Sequence, residues 1–344
     1  MAKDEAEKRP YIGGQAVIEG VMMRAPRGLS IAVRRPDGSL VVLEEPYQPQ
    51  GDKLWKLPFL RGVATLGEAL KLGWRALKFS AEQQVEEGEE MPEEEGKGAI
   101  VLSTLLALGL FVALPQLLAS GSGKLFGIDF GLDDPTFHVV IGAFKLLIVF
   151  LYMVGISRIP EIRRTFQYHG AEHKTIHAYE QDLELTVENV QAQTTLHPRC
   201  GTTFLVVVVL MSIVAGSLVA PLLLPPGLDG IFGQLALLAL RIALLPFIAA
   251  FSFELQRVSA RYCTRGPLRI FLWPGFLFQK ITTREPDDDQ VEVAIAAMEA
   301  AAWRERATED APAVELDPLV YPSFEGFRAA LRTGLRPASG LGQG

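Results

Sequence analysis

The motif HGAEH at residues 169–173 places two imidazoles one helical turn apart, with a carboxylate beside them. Side chains at positions i and i+4 lie on the same face of a helix, so His169 and His173 can bind one ion together. Two histidines beside a glutamate are also how a single helix supplies metal ligands and a general base, here Glu172. The motif therefore predicts a helical metal site.

A second pair of potential ligands lies in the sequence HPRCG, where His197 and Cys200 are three residues apart. Pro198 and Gly201 indicate a turn, which can fold a histidine and a cysteine around one ion. Four of the five histidines and one of the two cysteines thus lie within about thirty residues. Because a soft thiolate together with imidazole favours such metals, we expect zinc or another divalent transition metal rather than magnesium or calcium.

The number of protein ligands decides what such a site can do. If His197 and Cys200 both join the two helix histidines, the four ligands close the site, which is typical of a structural role. If only one of them binds, or if Glu254 supplies the third ligand, water occupies the fourth position. Zinc lowers the pKa of that water from about 15.7 to about 7, and Glu172 could then take its proton for attack on a carbonyl or phosphoryl centre.

Other polar residues are candidates for contacts around this site. His177 repeats the four-residue interval but lies two turns from His169, too far to share that ion easily, so we expect it to support a ligand or to contact the substrate, with a role as third ligand as the alternative. The motif GGQAVIEGVMMR offers Gln15, Glu19 and Arg24. Its glycine spacing does not match a phosphate-binding loop. The glycines indicate either close backbone approach around a shared cleft or a tight β-turn that serves only the fold.

Four apolar segments are each long enough to cross a membrane, which requires roughly 20 helical residues. They are residues 99–119, 139–157, 203–224 and 231–251. Lys145 and Arg241 interrupt the second and fourth segments, and a charge at that depth costs about 2.5 to 3.5 kcal/mol. We expect both to face the bundle interior, where they either pair with polar groups of neighbouring helices or line a transport pathway.

Basic residues are concentrated in the loop at 158–202 and after residue 252. The positive-inside rule therefore predicts a multi-pass protein of the cytoplasmic membrane with the histidine cluster and both termini in the cytoplasm.

No cleavable signal peptide is apparent. Cytoplasmic thiols stay reduced, so Cys200 is available to a metal. The expected partners are the lipid bilayer and an unidentified substrate. The acidic excess behind the net charge of −7 is concentrated at residues 82–95 and in the C-terminal part, and neither stretch resembles a nucleic-acid surface. No oligomeric state is predicted.

The predicted fold class is mainly α: four transmembrane helices with a small cytosolic α+β region that includes an N-terminal β-hairpin. Its strands, SIAVRR and SLVVLEE, flank the turn Pro36-Asp37-Gly38. Amphipathic helices at 53–81, followed by an acidic linker at 82–97, are expected either to dock at the membrane interface or to pack on the soluble region. The predicted segments are 1–52 (β element), 53–98 (interfacial helices and linker), 99–157 (first two spans), 158–202 (metal site), 203–251 (last two spans), 252–310 (cytosolic, with a helix at 291–306) and 311–344 (mobile tail).

Four motifs occur in order along the chain: GGQAVIEGVMMR at 13–24, YHGAEHKTIHAYE at 168–180, HPRCGTTF at 197–204 and PGFLFQKITTREP at 274–286. Together they resemble the YqhQ-like bacterial membrane proteins, over about residues 13–300. That family is classed as a domain of unknown function and is described as predicted metal-dependent enzymes. The resemblance implies the same class for this chain.

These observations lead to one main hypothesis and two alternatives. The main hypothesis is a metal-dependent hydrolase acting near the membrane surface, with the ligands named above and Glu172 as acid/base. The first alternative is a non-catalytic binding or scaffold protein, in which a closed metal site joins the cytosolic region to the bundle. The second is a transporter that uses Lys145 and Arg241.

Overall fold

The computed structural model describes residues 10–47, 60–85, 96–128, 131–132, 134–224, 230–263, 266–307 and 317–333. It confirms a mainly helical protein with four apolar helices and an antiparallel sheet built from the N-terminal residues. The protein thus has two parts: a helical bundle apolar enough for a bilayer, and an α+β region at one end of the bundle.

The sheet is antiparallel throughout, in the order β1 to β5. Its strands are β1 (Gly13–Val17), β2 (Gly20–Arg24), β3 (Gly28–Arg34), β4 (Leu40–Pro46) and β5 (Leu319–Tyr321). The predicted hairpin is confirmed as β3 and β4, and Gly38 in its turn has a φ of 86°, which glycine adopts most readily. The sheet is larger than predicted because GGQAVIEGVMMR forms a second hairpin and a distant strand pairs with β4.

Both faces of the sheet are covered by helices, because successive strand residues point to opposite sides. One face packs against α10 (Asp288–Ala307) and α5 (Pro160–Glu180), and the other against α1 (Leu60–Glu82). The face toward α10 buries Val21, Met23, Ala32, Leu40 and Val42. The face toward α1 buries Met22, Leu29, Ile31 and Val33. The sheet therefore holds α1 and α5 in fixed positions beside the membrane helices.

The four predicted spans are confirmed as helices long and apolar enough to cross a membrane. The first is a continuous rod of α2 (Gly96–Leu108), a π-helical turn (Gly109–Ala113) and α3 (Leu114–Phe126). The others are α4 (Pro135–Ile156), α7 (Gly201–Leu223) and α8 (Gly230–Tyr262). Leucines such as Leu218 and Leu222 face outward, as expected for helices solvated by lipid.

α7 lies at the centre of the bundle and contacts α4, α8 and the short helix α9 (Trp273–Thr282). A 3₁₀ turn (Pro267–Leu272) leads into α9. The contact between α4 and α7 is close at Gly142, where an added Cβ would lie 2.2 Å from the Ile213 side chain. Small residues permit such close crossings between membrane helices.

One side of the amphipathic helix is packed on the soluble region and another side is exposed. α1 packs on the sheet through Ala76 and against α8, while Leu70 and Trp74 are exposed on its outer face. Residues 53–59 and the acidic residues 86–95 lie outside the described residues.

The predicted mobile tail at 311–344 contains ordered structure, because residues 317–333 include β5 and α11 (Phe324–Thr333). Phe324 and Phe327 are buried in the core that includes α10. The short helix α6 (Val187–Gln191) borders the same core through Val190. The tail prediction failed because it relied on proline and glycine content, whereas apolar side chains spaced for one helix face hold this segment.

The crossing at Gly142 gives a stability prediction. Gly142→Ala should lower the free energy of unfolding by about 1 to 3 kcal/mol, because the new methyl group overpacks the contact with Ile213. Gly155→Ala on the same helix is the matched control, since nothing lies within 4 Å of a Cβ there. Thermal unfolding of both variants in detergent measures the difference, and equal midpoints would contradict the packing described.

Candidate metal centre

The motif HGAEH lies in the middle of α5, which begins just after α4 leaves the bundle. Gly170 sets the position of α5, because a Cβ there would lie 1.9 Å from the carbonyl oxygen of Arg284. Only glycine allows α5 to lie this close to the chain between α9 and α10. This contact brings the end of α9 to the histidines.

Two backbone carbonyls orient the two helix histidines. Nδ1 of His169 lies 2.9 Å from the carbonyl oxygen of Thr282, and Nδ1 of His173 lies 2.5 Å from that of Thr195. A carbonyl oxygen can only accept a hydrogen bond, so each Nδ1 carries the proton and each Nε2 keeps its lone pair. Metal-binding histidines are oriented in the same way.

Cys200, at the N-cap of α7, offers a third potential ligand atom. Its sulfur lies 3.3 Å from Nε2 of His169, and ligand atoms of His169, His173 and Cys200 all lie within 4.8 Å of one another. Burial raises the pKa of the thiol, but His173 and hydrogen bonds with Thr202 outweigh burial and bring that pKa below its ordinary value. The turn predicted from HPRCG is therefore also the start of a membrane helix.

His197 lies in a neighbouring group rather than with these three residues. Ligand atoms of His177, Glu180 and His197 lie within 4.8 Å of one another. The His197 ring centroid is 4.9 Å from that of His177 and 5.4 Å from that of His173. The guanidinium of Arg199 pairs with Glu180 and borders His197. The four predicted ligands are thus divided three to one.

Glu172 is buried beside the three-residue group, with 5% of its surface exposed. Burial, the largest cause, raises the pKa of the Glu172 carboxyl group, while His169 lowers it. Cys200 raises this pKa and a hydrogen bond from the Ala16 backbone lowers it, and the result is a pKa of about 7. Gly14 allows β1 to lie close to α5, because a Cβ at position 14 would lie 2.8 Å from Cγ of Glu172. The N-terminal motif therefore meets the histidine motif at this carboxyl group.

A cavity of about 520 Å³ opens over these groups. Its wall includes the following functional side chains: Gln15, Arg24, His169, Glu172, His173, His197, Arg199 and Cys200. Gln15 and Arg24 thus lie where the sequence predicts a shared cleft.

Two other predicted site residues lie elsewhere. The carboxylate of Glu19 binds Arg164 of α5 through two hydrogen bonds of 2.6 Å, outside the described lining of the cavity. Glu254 forms a two-bond ion pair with Arg61 of α1 and does not belong to either ligand group. Glu19 thus joins the turn between β1 and β2 to α5, and Glu254 joins α8 to α1.

Two residues of this region escaped the sequence analysis. Glu180 follows His177 by three residues on one helix, a spacing that could have revealed it. Gln279 gave no such signal: it is fully buried on α9, and its amide bonds both the N–H and the carbonyl of His197 at 2.8 Å, and the Thr203 hydroxyl at 2.9 Å. Gln279 thereby fixes the turn before α7.

Replacing Gln279 should destabilise the protein strongly. Gln279→Leu leaves the His197 N–H and carbonyl buried without partners, at a cost of about 1 to 3 kcal/mol each. Gln167→Leu is the control, because the Gln167 amide makes only hydrogen bonds of 3.4 Å near the surface. Denaturant unfolding should show a loss of about 2 to 6 kcal/mol for Gln279→Leu and little change for the control; similar values for the two would refute this role.

Comparisons with other proteins agree with the motifs. Residues 57–303 match the family described as "Protein of unknown function (DUF1385)". The chain is 37% identical over 303 residues to "Uncharacterized protein YqhQ" of Bacillus subtilis (strain 168). The aligned region covers 83% of this chain and 90% of that protein. No solved structure matches the chain. With this match over most of its length, the chain belongs to the DUF1385 family of proteins of unknown function.

Proposed function

We propose that this protein is a metal-dependent hydrolase of the cytoplasmic membrane. The observation that carries the proposal is the group of His169, His173 and Cys200, whose ligand atoms lie within 4.8 Å of one another on the wall of a large cavity. A buried carboxyl group, Glu172, lines the same wall. Three protein ligands of the imidazole and thiolate type, an open side and a nearby base are what a catalytic zinc site requires.

The residues fit a metal ion on chemical grounds. Both Nε2 lone pairs are left free by the carbonyl contacts of Nδ1, and the pKa of the Cys200 thiol is held below its ordinary value. Two imidazoles and a thiolate suit zinc or another divalent transition metal. When bound, such an ion supplies Lewis acidity, which polarises a carbonyl or phosphoryl oxygen and makes a water molecule more acidic.

Glu172 is the proposed acid/base residue. With a pKa raised to about 7, its carboxylate can take a proton from the attacking water and its carboxyl group can return that proton to the leaving group. The hydrogen bond from the Ala16 backbone holds the side chain against β1. Buried carboxyl groups with raised pKa values are common at catalytic sites.

The cavity wall indicates what the substrate carries. Arg24 and Arg199 bring guanidinium groups to it, and Gln15 adds an amide. Arginine is well suited to bind carboxylate or phosphate groups, so we infer a substrate with an anionic group. The basic loops at this end of the bundle support a site on the cytoplasmic side, with both termini in the cytoplasm.

A closed structural site is the second candidate, and one observation favours it. The His197 ring centroid is only 5.4 Å from that of His173, so a rotation of His197 would offer a fourth ligand. A four-ligand site would join α5 to the start of α7 without an open position. Replacing His197 separates the two candidates.

Removing a ligand of the three-residue group should abolish tight metal binding. His169→Ala, His173→Ala and Cys200→Ser should each weaken zinc affinity by more than about 100-fold, the upper effect of changing an outer-shell residue. Cobalt substitution provides a direct readout, because a thiolate-to-cobalt absorption band should appear in the wild type and vanish in Cys200→Ser. Cys263→Ser is the matched control, since Cys263 belongs to neither ligand group.

The same titrations test the coordination number. His197→Ala and His177→Ala should leave the ion in place if three residues bind it. Loss of the ion in His197→Ala would favour the closed site. A wild-type protein that is folded and binds no transition metal would refute both candidates.

Glu172→Gln should keep the metal and lose turnover. Removing a general acid/base slows catalysis by about 10² to 10⁴-fold, and the amide keeps the shape of the side chain. Hydrolysis of chromogenic carboxylic and phosphate esters by protein in detergent measures the rate, and metal analysis of the same sample shows whether the ion remains. Glu285→Gln is the control, because Glu285 is largely exposed. Unchanged hydrolysis in Glu172→Gln would remove it from the mechanism.

A further inference from the structure

A second cavity lies inside the membrane bundle, away from the metal centre. It is lined by Lys145 of α4, Ser212 and Gly216 of α7, Arg241 of α8 and Val112 of the π-helical turn, among others. Its volume is about 10 Å³, enough for one water-sized particle. Lys145 is near the middle of α4, so the cavity is roughly 15 Å from either end of that helix, at 1.5 Å per residue.

Two positive side chains share this cavity. Lys145 is 7% exposed and Arg241 is 9% exposed, and both side chains line the same small cavity. None of the described residues that line the cavity is acidic. The two cations therefore lie together in an apolar environment, where an uncompensated charge is costly.

The hydrogen-bond partners of both cations are neutral. Lys145 donates to the Ser212 hydroxyl at 3.2 Å. Arg241 donates to Nδ1 of His138 at 2.7 Å. Nε2 of His138 faces the carbonyl oxygen of Leu132 at 3.1 Å, so Nε2 carries the proton and Nδ1 only accepts. His138 is thus uncharged and cannot balance Arg241.

Arg241 also has an unused donor. Its Nε is buried and makes no hydrogen bond to a described residue. Gly216 keeps the arginine–histidine pair in place, because a Cβ there would lie 2.8 Å from Nδ1 of His138 and 3.5 Å from the Arg241 guanidinium. A buried donor without a protein partner is typical of a site that binds a water molecule or an ion.

We propose that Lys145 and Arg241 hold one monatomic anion of the halide class, chloride in the cell, inside the membrane bundle. Two adjacent positive charges select an anion over neutral water. The volume excludes phosphate, sulfate and carboxylates, which are several times larger than one water. The anion balances charge between α4, α7 and α8, and it acts independently of the proposed hydrolase site.

The test uses the full chain purified in detergent and exchanged into gluconate, an anion too large for the cavity. At constant ionic strength, chloride and bromide should raise the thermal midpoint of the wild type with saturation. Arg241→Gln and Lys145→Met should each raise the half-saturating chloride concentration at least about tenfold, the effect of losing one charge-assisted contact. Arg261→Gln, an exposed arginine of the same helix, is the control and should respond like the wild type.

Two results would overturn the proposal: a folded wild type that does not distinguish chloride from gluconate, or halide stabilisation that survives in both cavity variants. If those variants do not fold, bromide-soaked crystals of the wild type locate the ion by anomalous scattering. A peak between Lys145 and Arg241 supports the site, and its absence refutes it.

Discussion

The hydrogen bonds between two backbone carbonyls and two imidazoles determine the chemistry available at the centre of this protein. The carbonyl oxygens of Thr282 and Thr195 fix the proton on Nδ1 of His169 and His173. Both Nε2 atoms therefore face Cys200 as lone-pair donors. These carbonyls come from distant parts of the chain, and the carbonyl of Thr282 reaches α5 because Gly170 lets the segment around Arg284 approach.

The sheet completes the site from the opposite side. β1 passes so close to α5 that Gly14 contacts the side chain of Glu172, and the Ala16 backbone donates a hydrogen bond to its carboxylate. Burial alone would favour a neutral carboxyl group, while this donor and His169 favour the charged form. The balance leaves a group that can gain or lose a proton near neutrality. Gln15 and Arg24 of the same hairpin then form part of the cavity wall.

The membrane bundle positions Cys200, the third candidate ligand. It also contains a second charged region, the cavity with Lys145 and Arg241. Cys200 caps α7, so the thiol is fixed by the same packing that holds α7 against α4, α8 and α9. Gln279 of α9 secures the turn before it. Further inside the bundle, Lys145 and Arg241 lie in apolar surroundings, and their hydrogen-bond partners among the described residues are neutral. The polar site at the helix ends and the two buried cations thus depend on the same central helix.

The sequence by itself determined the local features: four apolar spans, the β3–β4 hairpin, and two histidines on one helix face. Each of these follows from periodicity or turn chemistry within a short segment. Only the tertiary structure placed His197 with His177 and Glu180 rather than with Cys200. It paired Glu19 with Arg164 and Glu254 with Arg61. It also placed Gln279 beside the turn that carries His197. It also joined residues 317–333 to the sheet. The physical reason is that ligand distances, burial and hydrogen-bond partners arise between elements far apart in the chain, where a one-dimensional pattern carries no record of which faces meet.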